Sequence, residues 1–257
     1  MFRARRRKRI LAEPFPAGWD QIVDDNVALA RRLDPARRQR LRELVQVFVA
    51  EKHWEGCGGL ELTEEMQVTI AAQACLLVLH RRDELYDDVD SILVYPSSVI
   101  VPPRRLGTFE QPRAPISHGA HVLGEAMLGG PVVLAWDSVL AGGRAEIDGN
   151  VTLHEFAHKL DMANGRIDGT PPLANRRARE QWARVCSDAF TRHTNAIANG
   201  WPTLLGDYAA TNEAEFFAVA TETLFTRPGD LAYEYPALYQ LLAGFYTGED
   251  AREQLRS

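Results

Sequence analysis

The sequence is poor in cysteine. Cys57, Cys75 and Cys186 are the only three in 257 residues, odd in number and never in a C-x-x-C pair. That excludes both a disulfide framework and a thiolate zinc site, and a reducing cytoplasm is the expected setting. Long apolar runs are missing as well. The longest, IAAQACLLVL and PVVLAW, fall short of the roughly eighteen residues that a bilayer span requires, so a soluble chain with no membrane partner is expected. A secretory leader is not expected either, because MFRARRRKR is followed by ILAEPFPAGWD, whose Glu13, Asp20 and two prolines interrupt the apolar core such a leader needs.

A positively charged body is also absent. The first nine residues hold six of the 29 basic side chains, which leaves 23 against 35 acidic ones. This balance argues against a nucleic-acid-binding surface. Residues 1–18 read as a basic, solvated and disordered tail. The remainder belongs to a chain with 46% hydrophobic and 25% charged residues, enough apolar material for a full core. Residues 19–257 are therefore read as one domain, helical over 19–90 and carrying the core over 91–257.

Two helices are expected between residues 19 and 55. One lies around Ile22–Leu33, and the second is opened by Asp34 as N-cap with Pro35 in its first turn. Leu41, Leu44, Val45, Phe48 and Val49 give the second its apolar face. Thr63 can cap a further helix through about Leu79, with Met66, Ile70, Ala74 and Leu77 at helical spacing. Ile92–Tyr95, Val99–Val101 and Pro131–Trp136 are short apolar or β-branched runs that imply a small sheet. The Pro102–Gly130 stretch between them reads as a partly ordered flap. Helices return over Val151–Leu160, about Asn175–Arg192, Asn212–Phe225 and from near Pro236. The fold class is thus α+β and mostly helical.

The sequence V-T-L-H-E-F-A-H-K-L-D at residues 151–161 carries the chemistry. On a helix, residues four apart leave one face a turn apart, so His154 and His158 can grip one ion. Zinc suits two imidazoles, and a catalytic zinc site uses three protein ligands and keeps its fourth position open. Glu155, beside the first histidine, is placed as general base toward water rather than as a ligand. Chance would produce H-E-x-x-H in on the order of one chain in a hundred of this composition. The apolar neighbours Val151, Leu153, Phe156, Ala157 and Leu160 mark a buried helix, where idle polar groups would cost desolvation.

The third ligand is not a nearby histidine, because Asp161 and Asn164 stand at the glycine and last histidine positions of the H-E-x-x-H-x-x-G-x-x-H pattern. A downstream glutamate is the other common solution, and residues 207–225 offer Glu213, Glu215 and Glu222. Spacing puts Glu215 and Glu222 on one face, seven apart, and turns Glu213 away. Glu215 could instead serve as a capping partner of Asn212. Asp161 could orient His158 through its other ring nitrogen, or cap the helix end. His118 and His121 read as surface residues rather than as a second metal pair.

The motifs H-E-F-A-H-K-L-D-M-A-N-G at 154–165 and D-Y-A-A-T-x-x-A-E-F-F-A-V at 207–219, with I-L-V-Y-P and G-P-V-V-L-A-W, resemble the Mlc titration factor A family along most of the chain. These are zinc peptidases whose catalytic core is similar to the lethal-factor type. The resemblance implies a zincin-like fold and one zinc ion held by His154, His158 and Glu215. It also implies Glu155 as general base and Tyr208 as hydrogen-bond donor to the oxyanion. Analogy with related peptidases suggests that Val132–Trp136 pairs with substrate backbone.

The expected activity is zinc-dependent hydrolysis of a peptide or protein substrate, with aminopeptidase and endopeptidase action both open. The family name adds a transcriptional repressor of sugar uptake as an expected partner, so the alternative is a repressor-titrating module with incidental peptidase activity.

Overall fold

The structure, a computed structural model, describes residues 2–80, 85–97, 99–100, 121–122, 124–126 and 130–248. The fold is α+β and mostly helical, with a small sheet.

The basic start differs from the sequence expectation. It forms a helix over Phe2–Ile10 (α1) instead of a disordered tail. Arg7 pairs with Glu51 at 2.7 Å and with Asp87 at 2.6 Å, Arg3 also reaches Asp87, and Arg6 donates to the Ala50 carbonyl. A run of like charges would repel itself as an isolated tail. Here two acids far along the chain neutralise part of it.

The expected helix around Ile22–Leu33 is two pieces, Trp19–Asn26 (α2) and a 3-10 turn over Ala28–Arg32. Between them Val27 leaves helical geometry at φ −128° and ψ 84°. The buried Asn26 amide donates to Glu65 and Thr69, while its oxygen accepts from Arg144. These tertiary bonds satisfy Asn26 at the point where the helix stops.

The next two helices follow their caps. In Pro35–Glu51 (α3) the Asp34 carboxylate accepts from Arg37 N–H, and in Glu64–Leu76 (α4) the Thr63 hydroxyl accepts from Met66 N–H. Either cap is worth about 1 kcal/mol. α4 is buried on all sides from Val68 to Leu76 and packs against α2, α3, Trp136–Gly143 (α5) and Val151–Met162 (α6).

The main sheet has four strands: His53–Gly56 (β1), Ser91–Tyr95 (β2), Val132–Ala135 (β6) and Gly124–Ala126 (β5), in that spatial order. β1, β2 and β6 are parallel and β5 runs antiparallel to β6. β1 thus ties the 19–90 region into the same sheet as the later strands. Val99–Ile100 (β3) and His121–Val122 (β4) form a separate antiparallel pair. The Pro102–Gly130 segment, expected as a flap, lies largely outside the described residues, as does His118, whereas His121 belongs to β4.

β6 was expected to be free to pair with substrate, and it is not. Ile92–Tyr95 flanks it on one side and Gly124–Ala126 on the other. Its ladder is occupied on both edges, and β5 rather than β6 is the outer strand beside α6.

The C-terminal half is helical: Arg176–Ala198 (α7), a 3-10 turn over Asp207–Ala210, Glu213–Thr226 (α8), Pro228–Glu234 (α9) and Pro236–Thr247 (α10). No helix among the described residues is long and apolar enough to cross a membrane.

Candidate metal centre

α6 begins at Asn150, whose side-chain oxygen accepts from Leu153 N–H and whose amide donates to Gln73 Oε1 of α4 at 2.7 Å. This cap fixes where the helix starts and therefore where His154 points. Leu153, Phe156 and Leu160 are buried, each contributing about 1.5–3 kcal/mol of apolar burial. That burial offsets the desolvation of the polar side chains carried by the same helix. His154, Glu155 and His158 are all buried, and the two imidazoles lie with ring centroids 4.9 Å apart at 81°.

α8 packs along α6 and is also capped by asparagine: Asn212 accepts from Glu215 N–H at 2.9 Å. The backbone of Glu215 is thereby used for the cap, while its carboxylate faces α6. Glu215 Oε2 lies 3.2 Å from His154 Nε2 and 3.2 Å from His158 Nε2. The three candidate donor atoms all fall within 4.8 Å of one another.

Glu222, two turns further on, takes a different place. Its Oε2 is 3.3 Å from His154 Nδ1, and its Oε1 accepts from Asn150 N–H at 2.6 Å. Spacing alone left Glu215 and Glu222 as rivals. The structure puts the first on the Nε2 side of the histidines and the second behind His154. Glu213 lies elsewhere, with its carbonyl against Gly169.

Tyr208, on the 3-10 turn, stacks at a tilt with its ring 5.9 Å from His154 and remains 57% exposed. A side chain more than half exposed beside His154 is accessible to a ligand arriving from solvent. Burial of its inner part, and then the negative charges of Glu215 and Glu155, push its pKa up, so it holds its proton as a donor.

Asp161 does not orient His158. It is wholly buried, and its two oxygens accept from Gly169 N–H at 3.0 Å and Thr170 N–H at 2.7 Å. Burial pushes its pKa up to about 6, against the opposing pull of those two amides. His158 Nδ1 is buried without a hydrogen-bond partner among the described residues.

The electrostatics of the cluster follow from its crowding. Burial opposes ionisation of Glu215, yet hydrogen bonds from His154 and His158 outweigh it and hold its carboxyl well below the usual range. Burial likewise disfavours a charged His154, but Glu215 and Glu222 together raise its pKa. Two imidazole nitrogens and one carboxylate oxygen converging at one point are a donor set that could hold a metal ion. His154 also has the carboxylate partner on its far nitrogen that such ligands commonly use.

Comparison with known proteins agrees with this chemistry. The family model for glucose-regulated metallo-peptidase M90 matches residues 2–247. An uncharacterized protein of Synechocystis is 35% identical over 94% of this chain and 87% of its own length. Mlc titration factor A of Klebsiella pneumoniae is 31% identical over 93% of this chain and 88% of its own, and that of Serratia proteamaculans is 32% identical over 90% and 86%.

Proposed function

Since the chain belongs to the glucose-regulated metallo-peptidase family M90, we propose that it is a zinc-dependent peptidase of zincin-like architecture, with a single zinc held by His154, His158 and Glu215. The observation that carries this reading is the convergence of the three donor atoms within 4.8 Å. When bound, zinc supplies Lewis acidity toward water and the scissile carbonyl. Glu155 serves as general base, taking the proton of the attacking water and passing it to the leaving amine. Tyr208 donates a hydrogen bond from its hydroxyl to the oxyanion, a role supported by its position beside His154 and its exposure. Glu222 holds the His154 ring from behind. The three free cysteines support a reducing, cytoplasmic setting.

The test is metal content by elemental analysis beside hydrolysis of fluorogenic peptides with free and blocked amino termini. The expected outcome is one zinc per chain and turnover in the wild type, with both lost in Glu215→Ala. Cleavage of the blocked peptides would assign endopeptidase action, and cleavage confined to free termini would assign aminopeptidase action. A chain that takes up no metal would overturn the reading.

A second reading is favoured by the name of the relatives, which describes titration of Mlc: the chain binds a transcriptional repressor. Both activities fit one molecule. Zinc bound stoichiometrically with no turnover on any peptide would move the assignment to this binding role.

A further inference from the structure

His193, on α7, takes no part in the cluster, is wholly buried, and uses both ring nitrogens. Nε2 lies 3.0 Å from the Gly206 carbonyl oxygen and Nδ1 lies 3.2 Å from the Tyr235 hydroxyl. A carbonyl can only accept, so Nε2 carries the proton and donates, and Nδ1 accepts from Tyr235. One neutral tautomer satisfies both contacts.

Gly206 is where the turn carrying Tyr208 begins. It sits at φ +68° and ψ 175°, leads directly into Asp207–Ala210, and its N–H is held by the Thr203 hydroxyl at 3.2 Å. The His193 ring also lies 5.8 Å from the ring of Phe216, which follows Glu215. Tyr208 is more than half exposed while its neighbour Ala209 is wholly buried. Apart from its contacts with His154 and Glu215, Tyr208 is therefore held by the backbone of the turn. That backbone is tethered at its entry by His193.

We propose that His193 is a positioning residue for Tyr208: its Nε2–H bond to Gly206 holds the 3-10 turn so that the phenol stands over His154. The inference rests on the reading of Tyr208 as oxyanion donor. A donor misplaced by about 1 Å can cost on the order of a hundredfold in rate, so a tether two residues away has a measurable effect without touching substrate.

The test is a double-mutant cycle on the zinc-loaded full chain, using His193→Phe, His193→Gln and Tyr208→Phe, with kcat, KM and zinc content measured for each. Loss of an oxyanion donor typically costs about 10²–10³ in kcat. His193→Phe is expected to lower kcat at least about tenfold with KM and zinc content kept. His193→Gln, which can still donate to Gly206, is expected to recover much of it and guards against simple misfolding. Tyr208→Phe should cost far less in the His193→Phe background than in the wild type.

An equal penalty in both backgrounds overturns the inference and leaves the role of Tyr208 intact. No penalty for Tyr208→Phe in the wild type overturns that role, and the inference falls with it. Amide exchange over residues 205–211 is independent of turnover: it should quicken in His193→Phe, and unchanged exchange there also overturns the tether.

Discussion

Glu222 approaches His154 from the side opposite Glu215, with its Oε2 3.3 Å from Nδ1, and the same carboxylate accepts from the Asn150 amide at the start of α6. The position of the first histidine is thus set by the helix that carries it and by the helix that faces it. Replacing Glu222 with Ala is expected to weaken zinc affinity by about 10–100-fold, the usual cost of losing a carboxylate behind a ligating histidine. Competition with a chromogenic chelator checks this, and wild-type affinity in the variant would remove the role.

Glu155→Gln should keep metal and lose turnover, because the ligands stay and only the base is removed. A reduction of about 10²–10⁴ in kcat is expected. Elemental analysis and a peptide assay on the same preparation give both halves of the result, and retained hydrolysis would sink the mechanism.

Gly169→Ala should damage the site from a distance. Gly169 has φ +71°, and an added Cβ would collide with the Glu213 carbonyl, at the start of the helix that presents Glu215. The strain and the clash together are expected to cost on the order of 2 kcal/mol or more and to lower zinc affinity. Urea denaturation and chelator competition measure the two effects, and an unchanged midpoint would contradict the clash.

Lys52 is a buried ammonium that donates to the carbonyls of Leu85, Tyr86 and Val89 at 3.2, 2.6 and 2.8 Å. Lys52→Met removes the ammonium donor from all three carbonyls, of which Tyr86 keeps the Val89 N–H, and is expected to cost about 1–3 kcal/mol near neutral pH. Burial pushes the Lys52 pKa down to about 8, against the pull of Asp87 and Glu51. Between pH 8 and the ordinary lysine value the unfolded chain binds the extra proton, so this group makes stability rise with pH there. Denaturation from pH 7 to 10 should show a slope that Lys52→Met lacks.

What could be read from sequence was local. Asp34–Pro35, Thr63 and Asn212 each cap a helix within three residues of themselves, so the starts of α3, α4 and α8 needed no tertiary information. The break after Asn26 depends on Glu65, Thr69 and Arg144, remote in sequence and without a nearby signal. β1 was missed because His53–Gly56 shows no apolar alternation and is defined by its pairing with β2.

At the site, the seven-residue step between Glu215 and Glu222 put both on one face but could not say which would meet the Nε2 atoms. The rotation and height of α8 against α6 decide that. Asp161 is one turn beyond His158, yet the amides of Gly169 and Thr170 claim both its oxygens. His193 was not singled out, since a lone histidine within a helix has no signature until Gly206 and Tyr235 surround it.

Because α8 carries both carboxylates that meet His154, its docking is a single event for the centre. A helix that slides or frays away from α6 withdraws Glu215 and the brace behind His154 together, so half-assembled arrangements have little to hold a cation. Metal uptake and the seating of α8 are then linked equilibria, each stabilising the other by the same free energy. Metal concentration in the cell would govern how long the chain survives proteolysis as well as how fast it turns over substrate.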